Sequence, residues 1–466
     1  MAHDRQVEQE TGKIGNRFRA TRHSSKDDLE PIEVNRQVRS TTIRISTLFF
    51  CICFIFIPEL HALDITTLLK ATKQQPGIKA SELLVRQRSY EVKEAYAYLY
   101  PSFNAFGSLE SYSSPTNLRP LPPTEVNITA GESIPFSDDI LRYGLTLKMP
   151  VFVKNLYTLA SKMKLLREEA EYKNKIDTIE KEASVVSLNS SLQYLTGLEN
   201  AIDARLKSLA ETKGRVEIEV KNGRSPEAKL LKIEKLVNEL ERQRNEINTQ
   251  MLDVKKGIRM LTNIKIVSPV PMKMVGNIEP GDFIKIHMLQ KQVAALKKES
   301  QRTKELLWPS LYLEGILSDN RGEAYNTHRY IKRTYNYFRL VFEVPLFQKS
   351  IYTKTNVARA KLARAQMELA QEKINLASLA DDLHDRLPLI YRSIVLARAD
   401  VKNTGRLLDI AKVAFRNGRM TTEEYLRYEA DVLKAESSLY RFESERWQAI
   451  AQQALLYGRD LIGVVQ

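Results

Sequence analysis

Six histidines occur in this 466-residue sequence, and none is placed to hold a metal ion or pass on a proton. His3, His23 and His61 fall within the first 62 residues. His287, His328 and His384 are isolated, without the HExxH spacing that turns two imidazoles to one helix face around zinc. There is no Gly-rich phosphate loop and no GxSxG nucleophile elbow. Carboxylates are abundant but recur at helical-surface spacing, so no pair stands out as acid and base. The sequence therefore predicts no catalytic residue, no cofactor and no metal site. What recurs is backbone punctuation: Asn222-Gly223-Arg224, Asn417-Gly418-Arg419, and the prolines Pro101, Pro150, Pro309 and Pro345. Glycine after a helix permits a left-handed turn, and proline halts a strand or helix.

These marks belong to two copies of one unit. Tyr143-Gly-Leu-Thr-Leu-Lys-Met-Pro-Val-Phe152 matches Phe338-Arg-Leu-Val-Phe-Glu-Val-Pro-Leu-Phe347, and Tyr100-Pro-Ser-Phe103 matches Trp308-Pro-Ser-Leu311. The interval from Pro150 to Gly223 is 73 residues, and that from Pro345 to Gly418 is also 73. Each unit reads as a helix ending at aromatic-Pro-Ser, two strands, a Pro-apolar-Phe junction opening a very long helix, an Asn-Gly turn and a return helix. The first repeat spans 63–275 and the second 276–466.

Two strands alternate with period two. Leu141, Tyr143, Leu145, Leu147 and Met149 are separated by Arg142, Gly144, Thr146 and Lys148; Phe338, Leu340, Phe342 and Val344 enclose Arg339 and Glu343. Phe103 to Tyr112 and Leu311 to Ser318 alternate less cleanly. All four fit the 9 to 11 residues of a membrane-barrel strand with one apolar and one polar face. Ser113 to Asp139, rich in proline, and Asp319 to about Ile331 read as the joining loops. Four strands alone leave open edges, which hydrocarbon does not tolerate, so the barrel must close with other copies.

The helices carry another period. Leu362, Leu369, Leu376, Leu383 and Ile390 fall seven apart, with Ala358, Ala363, Ala365, Ala370 and Ala377 around them, a pattern for supercoiled packing. Pro388 should kink or loosen that helix. Each long helix covers about 100 Å at 1.5 Å per residue. The shorter helices, Asp64–Tyr100, Pro226–Thr262, Pro280–Trp308 and Thr421–Arg459, reach that length in end-to-end pairs, first with last and the middle two together.

The formal charge of +14 and 27% charged residues come from signs alternating along helical stretches, as on solvated faces, and no nucleic-acid motif is present. Residues 1–62 read as a leader and signal peptide: Arg44, an apolar run from Leu48 to Ile57 too short to span a bilayer, and an expected cleavage after Ala62. Both cysteines, Cys51 and Cys53, lie in that run, so the mature chain is expected to have none. The polar residues 1–40 read either as lying before a start codon further downstream or as an extended, poorly ordered leader.

Together these features resemble the TolC family of outer-membrane efflux proteins, from about Leu63 to Leu461. The resemblance rests on the duplicated strand-Pro-Phe-helix unit, the duplicated Asn-Gly turns, and Phe415-Arg-Asn-Gly-Arg-Met-Thr-Thr-Glu-Glu-Tyr-Leu426 leading into a helix with Ala430 and Ala435. It implies a mixed α and β membrane protein: a homotrimer whose four strands per chain close one 12-stranded β-barrel in outer-membrane lipid, continued by an α-helical coiled-coil tunnel in the periplasm. It implies a passive conduit of a tripartite efflux or type I secretion system, docked to a periplasmic adaptor and an inner-membrane pump of RND or ABC type. Asn222, Gly223, Arg224, Asn417, Gly418 and Arg419 would form the docking tips. The family's two gate acids fall on Glu424 and Arg427, its tip aromatic on Phe415, a latch arginine on Met420, and the latch's partner acid on Lys229. Either a Lys229 to Glu424 link would replace the usual one, or the two are solvated charges. The alternative is a periplasmic adaptor or coiled-coil scaffold tethered by Leu48 to Ile57.

Overall fold

A computed structural model describes residues 63–120 and 126–466. The leader, both cysteines, and Pro122 and Pro123 of the first loop lie outside the described residues.

The chain opens with α1 (Ile65–Lys73) and α2 (Pro76–Ala97). The sequence suggested one helix over this stretch. The break falls at Gln74-Gln75, because Pro76 has no N–H to continue a helix but suits the first turn of a new one. Next come β1 (Ser102–Asn117), β2 (Phe136–Val153), α3 (Lys154–Lys221), α4 (Glu227–Thr262), α5 (Ile284–Glu305), β3 (Ser310–Glu323), β4 (Tyr330–Glu343), α6 (Lys349–Arg416) and α7 (Thr422–Tyr457). The long helices α3 and α6 each have 68 residues, about 100 Å. Their return helices α4 and α7 each have 36, and α2 and α5 each have 22.

The four strands form one antiparallel meander in the order β1-β2-β3-β4. They run 14 to 18 residues, longer than the alternating cores suggested, because polar residues extend the pairing beyond the apolar band. The connections shrink accordingly to 118–135 and 324–329. Pro150 lies in an inner strand, where a missing N–H is tolerated at an irregularity, and the β2–β3 register shifts between Pro150 and Phe152. Pro101 and Pro309 immediately precede β1 and β3, and Pro345 follows β4.

Four helical columns descend from the sheet, and α3 is an inner one. Beside the sheet its neighbours are α2 (Ser81 to Asp177, 2.8 Å) and α5 (Lys162 to Glu299, 3.1 Å; Lys291 to Glu168, 2.7 Å). Towards its far end they are α4 (Lys213 to Glu234, 2.9 Å) and α7 (Ser190 to Ser444, 3.2 Å). α6 lies outside α5 and α7, joined by Lys285–Glu372 and Arg398–Glu443. Phe283 at the start of α5 stacks on Tyr457 at the end of α7, with ring centres 6.0 Å apart. α1 packs against both α2 and α4. The stacked pairs are therefore α2 with α4 and α5 with α7. This corrects the pairing suggested by sequence order, because apolar side chains at the helix ends decide which segments meet.

On α6 the heptad residues Leu383 and Ile390 are buried and Leu376 is half-buried against α7 and α5. Pro388 does not break the helix. It lies on the exposed side, where solvent can bond the carbonyl that its ring leaves without an N–H.

Midway along α3, α1 and the C-terminal segment are clasped together. Ile65, Leu68 and Leu69 of α1 join the core of α3 and α4, and Lys273 exchanges two backbone hydrogen bonds with Gln466. Glu182 of α3 is fully buried, 3.2 Å from Lys73, and accepts the Leu461 N–H at 3.1 Å. Lys73 is shared with Asp460 at 2.7 Å. Burial and the neighbouring Asp460 charge push the Glu182 carboxyl up to about 7 against the pull of Lys73. The folded chain thus holds this proton more tightly than the unfolded chain. Stability should fall as pH rises from about 4.5 to about 7, by up to about 3 kcal/mol, and level off above. Glu182→Gln is expected to flatten that part of a melting-temperature profile while the Lys73–Asp460 pair persists.

Candidate functional site: an apolar sheet face and two helical tips

One face of the sheet is apolar over most of its area, with Asp319 and Arg321 of β3 and Lys332 of β4 on it towards the loops. Registered pairing places Phe103, Ala105, Gly107 and Leu109 beside Leu147, Leu145, Tyr143 and Leu141, and these beside Gly315, Leu317, Asp319 and Arg321. On β4, Phe342, Leu340 and Phe338 pair with Leu311, Leu313 and Gly315. In the single chain Phe103 is 69% exposed, Leu109 82% and Phe342 68%. A soluble sheet would bury such a face, and an apolar patch of this extent marks contact with lipid or protein. From Leu141 to Met149 the band measures about 27 Å along the strand, the span of a tilted strand in a bilayer. No described helix is long and apolar enough to cross a membrane.

The opposite face is polar. Arg142 donates to Glu110 at 2.8 Å, and Glu314 accepts from Arg339 at 2.9 Å and pairs with Lys148 at 3.3 Å. Arg142 also donates to the backbone of Asn117 and Leu118, drawing the first loop over this face. Where strands meet helices, Tyr98, Tyr100, Trp308, Phe152, Phe347 and Tyr352 are exposed. Aromatic rings at the end of an apolar band match the girdle of a membrane interface.

At the other end, α3 and α6 terminate alike. Gly223 and Gly418 both have φ of 69°. Arg224 N–H bonds Glu219 O at 2.8 Å and Gly223 N–H bonds Val220 O at 3.0 Å; Arg419 to Ala414 and Gly418 to Phe415 repeat this at 2.9 and 3.1 Å. Both are Schellman caps, which satisfy the last helical carbonyls and reverse the chain. Asn222 and Asn417 occupy equivalent positions just before each glycine.

The other expected gate residues are not gathered as proposed. Glu424 is engaged at the start of α7 in a capping box: its carboxylate accepts from the Thr421 N–H at 2.9 Å, and the Thr421 hydroxyl accepts the Glu424 N–H. The ion pair between the hairpins joins Lys232 to Glu423, not Lys229 to Glu424. Lys229 and Arg427 lie close enough to help hold the Glu423 carboxyl below its usual range, after Lys232 itself. Phe415 stacks on Tyr425 with ring centres 4.7 Å apart and faces the Arg215 guanidinium. Sequence reasoning missed Tyr425, Glu429 and Ser208, which join α7 to α3. The available signal was a carboxylate four residues after Tyr425, on the packed stripe of α7. Among the described residues, no group of His, Cys, Asp and Glu is arranged to hold a metal ion.

No family model and no curated protein matches the sequence. Solved structures do match. The outer membrane channel CmeC of Campylobacter jejuni is 17% identical with a TM-score of 0.71, covering 86% of this chain and 85% of that one. The outer membrane protein VceC of Vibrio cholerae is 13% identical with a TM-score of 0.71, covering 86% and 96%. The MtrE outer membrane channel of Neisseria gonorrhoeae, in its open state, is 12% identical with a TM-score of 0.68, covering 85% and 89%. The fold is that of the TolC-like outer-membrane channels. In this chain the capped tips lie at the ends of α3 and α6 away from the sheet, 68 residues along each helix.

Proposed function

We propose that this protein is the outer-membrane channel of a tripartite efflux or type I secretion system, and not an enzyme. Three chains would close a 12-stranded barrel whose apolar face meets lipid, and twelve helical columns would form a periplasmic tunnel. Repeats 63–275 and 276–466 would be the two halves of each chain's share. The carrying observation is an exposed, largely apolar sheet face continuous with helices of 68 residues.

The free side of α6 supports the ring. Its packed stripe runs through Ala358, Leu362, Ala365, Leu369 and Leu376. A second, exposed stripe of Ala360, Ala363, Met367, Ala370, Ile374 and Ala377 lies roughly 150° around the helix at 100° per residue. A helix in a ring of twelve has its two neighbours about 150° apart, so this geometry suits a wall. α2 offers a seven-residue stripe on its own free side, Leu83, Tyr90 and Ala97. A scaffold or adaptor would have no use for the apolar sheet face.

In this reading substrate enters at the tips when a periplasmic adaptor, coupled to an inner-membrane pump of RND or ABC type, parts the Gly223 and Gly418 hairpins. It then passes passively through tunnel and barrel. Purified protein in a planar bilayer should give discrete conductance steps; absence of steps from correctly folded protein would count against conduction. Gly418→Pro is expected to leave the assembly intact but abolish export, because proline cannot adopt φ of 69° and lacks the N–H bonded to Phe415. Full export by that variant would remove the docking role from this turn.

A further inference from the structure

A carboxylate is buried where α7 packs on α3, about two turns from the tip. Glu429 is 4% exposed. One of its oxygens accepts from the Ser208 hydroxyl, which also lies 3.1 Å from the Tyr425 hydroxyl. The other oxygen is buried without a hydrogen-bond partner, and so is Nε of Arg205. The charged groups facing this cluster are Arg205 of α3 and Lys412 of α6, with Glu211 of α3 near Tyr425 and Glu239 of α4 near Arg205. Buried polar atoms are nearly always satisfied, and an under-bonded carboxylate at a helix interface weakens that interface while it is charged.

We propose that Glu429 is a proton-controlled spring in the tip: ionised, it biases the α6–α7 hairpin away from α3, and protonated, it lets the hairpin close. This rests on the reading that the hairpins part to open a channel. The direction follows from linkage. Burial holds the packed carboxyl above its ordinary range, outweighing the bond from Ser208, the nearby Tyr425 hydroxyl and the attraction of Arg205 and Lys412. An opened hairpin would hydrate the group and return it to that ordinary range. Protons therefore bind the closed state more tightly, so falling pH favours closure and rising pH favours opening. Glu299, on α5, behaves oppositely: Arg302 and Lys162 hold it at about 2, so its contacts are kept across the same pH span.

Hydrogen–deuterium exchange on the full assembly, corrected for the intrinsic effect of pH, tests this without requiring conduction. As pH falls from about 8 to about 4.5, backbone protection over 420–432 should rise severalfold. In Glu429→Gln it should be high at both values. Single-channel opening should be rarer at the lower pH in the native protein, and rare and pH-independent in the variant. Equal protection at the two pH values in the native protein, or a looser hairpin in the variant, would overturn the proposal. Should the variant not fold, Ser208→Ala serves instead: losing a donor to the carboxylate should move the transition to higher pH, and an unmoved transition overturns the proposal. Exchange that follows pH without any conductance would sink the channel reading and leave the spring. Conductance without the exchange change would do the reverse.

Discussion

Replacing Leu145 by arginine should remove the protein from the outer membrane. Leu145 sits at the middle of the apolar band on β2, between Ala105 of β1 and Leu317 of β3, and is exposed on the sheet's free face. In a lipid-facing barrel, arginine near the bilayer midplane costs about 2–4 kcal/mol per chain. Three chains in one barrel would multiply this to about 6–12 kcal/mol, comparable with the whole stability of a domain. The polar face gives the control. Thr146, the next residue, pairs with Asn104 and Ile316 on the opposite side. Thr146→Arg should be recovered from outer membranes in ordinary amounts, because its guanidinium would enter a watery lumen. Fractionated membranes probed for each variant decide this. Equal recovery of both variants would mean that the apolar face does not meet lipid.

Ala370→Glu should separate the assembly into single chains. Ala370 lies on the exposed second stripe of α6, away from α5 and α7, so its replacement disturbs little inside one chain. In the proposed ring this stripe packs closely against another copy, where small residues permit the approach. A glutamate would be overpacked and carry a charge out of water, a penalty of several kcal/mol at each of three interfaces. Glu368, two residues away and exposed, is the control, since it already pairs with Arg364 and its replacement should be silent. Sedimentation in detergent would show a shift to the monomer for Ala370→Glu only. An unchanged assembly would place the neighbouring copy on another face.

Much of this fold was legible because a sheet with one apolar face and supercoiled helices impose strict patterns. The alternation from Leu141 to Met149 and from Phe338 to Val344 reads directly as the free apolar face. The turns at Gly223 and Gly418 were legible because φ of 69° excludes most residues with a side chain. Strand ends were not, because polar residues near the rims pair as well as apolar ones; Pro115 even lies within β1. The order of the columns was hidden for another reason. Which short helix stacks on which depends on contacts such as Phe283 with Tyr457, and nothing in their spacing distinguishes one partner from another. Gate residues were harder still. Glu423 and Glu424 are adjacent, and only the capping box at Thr421 shows which is free to reach Lys232.

The central claim is a hollow trimer that joins a membrane barrel to a periplasmic tunnel. Detergent extraction of isolated outer membranes, followed by electron-microscope imaging of single particles, tests it most directly. The account predicts a hollow particle with three-fold symmetry, about 130 Å long, from a tunnel of roughly 100 Å and a barrel of about 30 Å. A solid or single-chain rod, or recovery of the protein with the inner membrane, would contradict it.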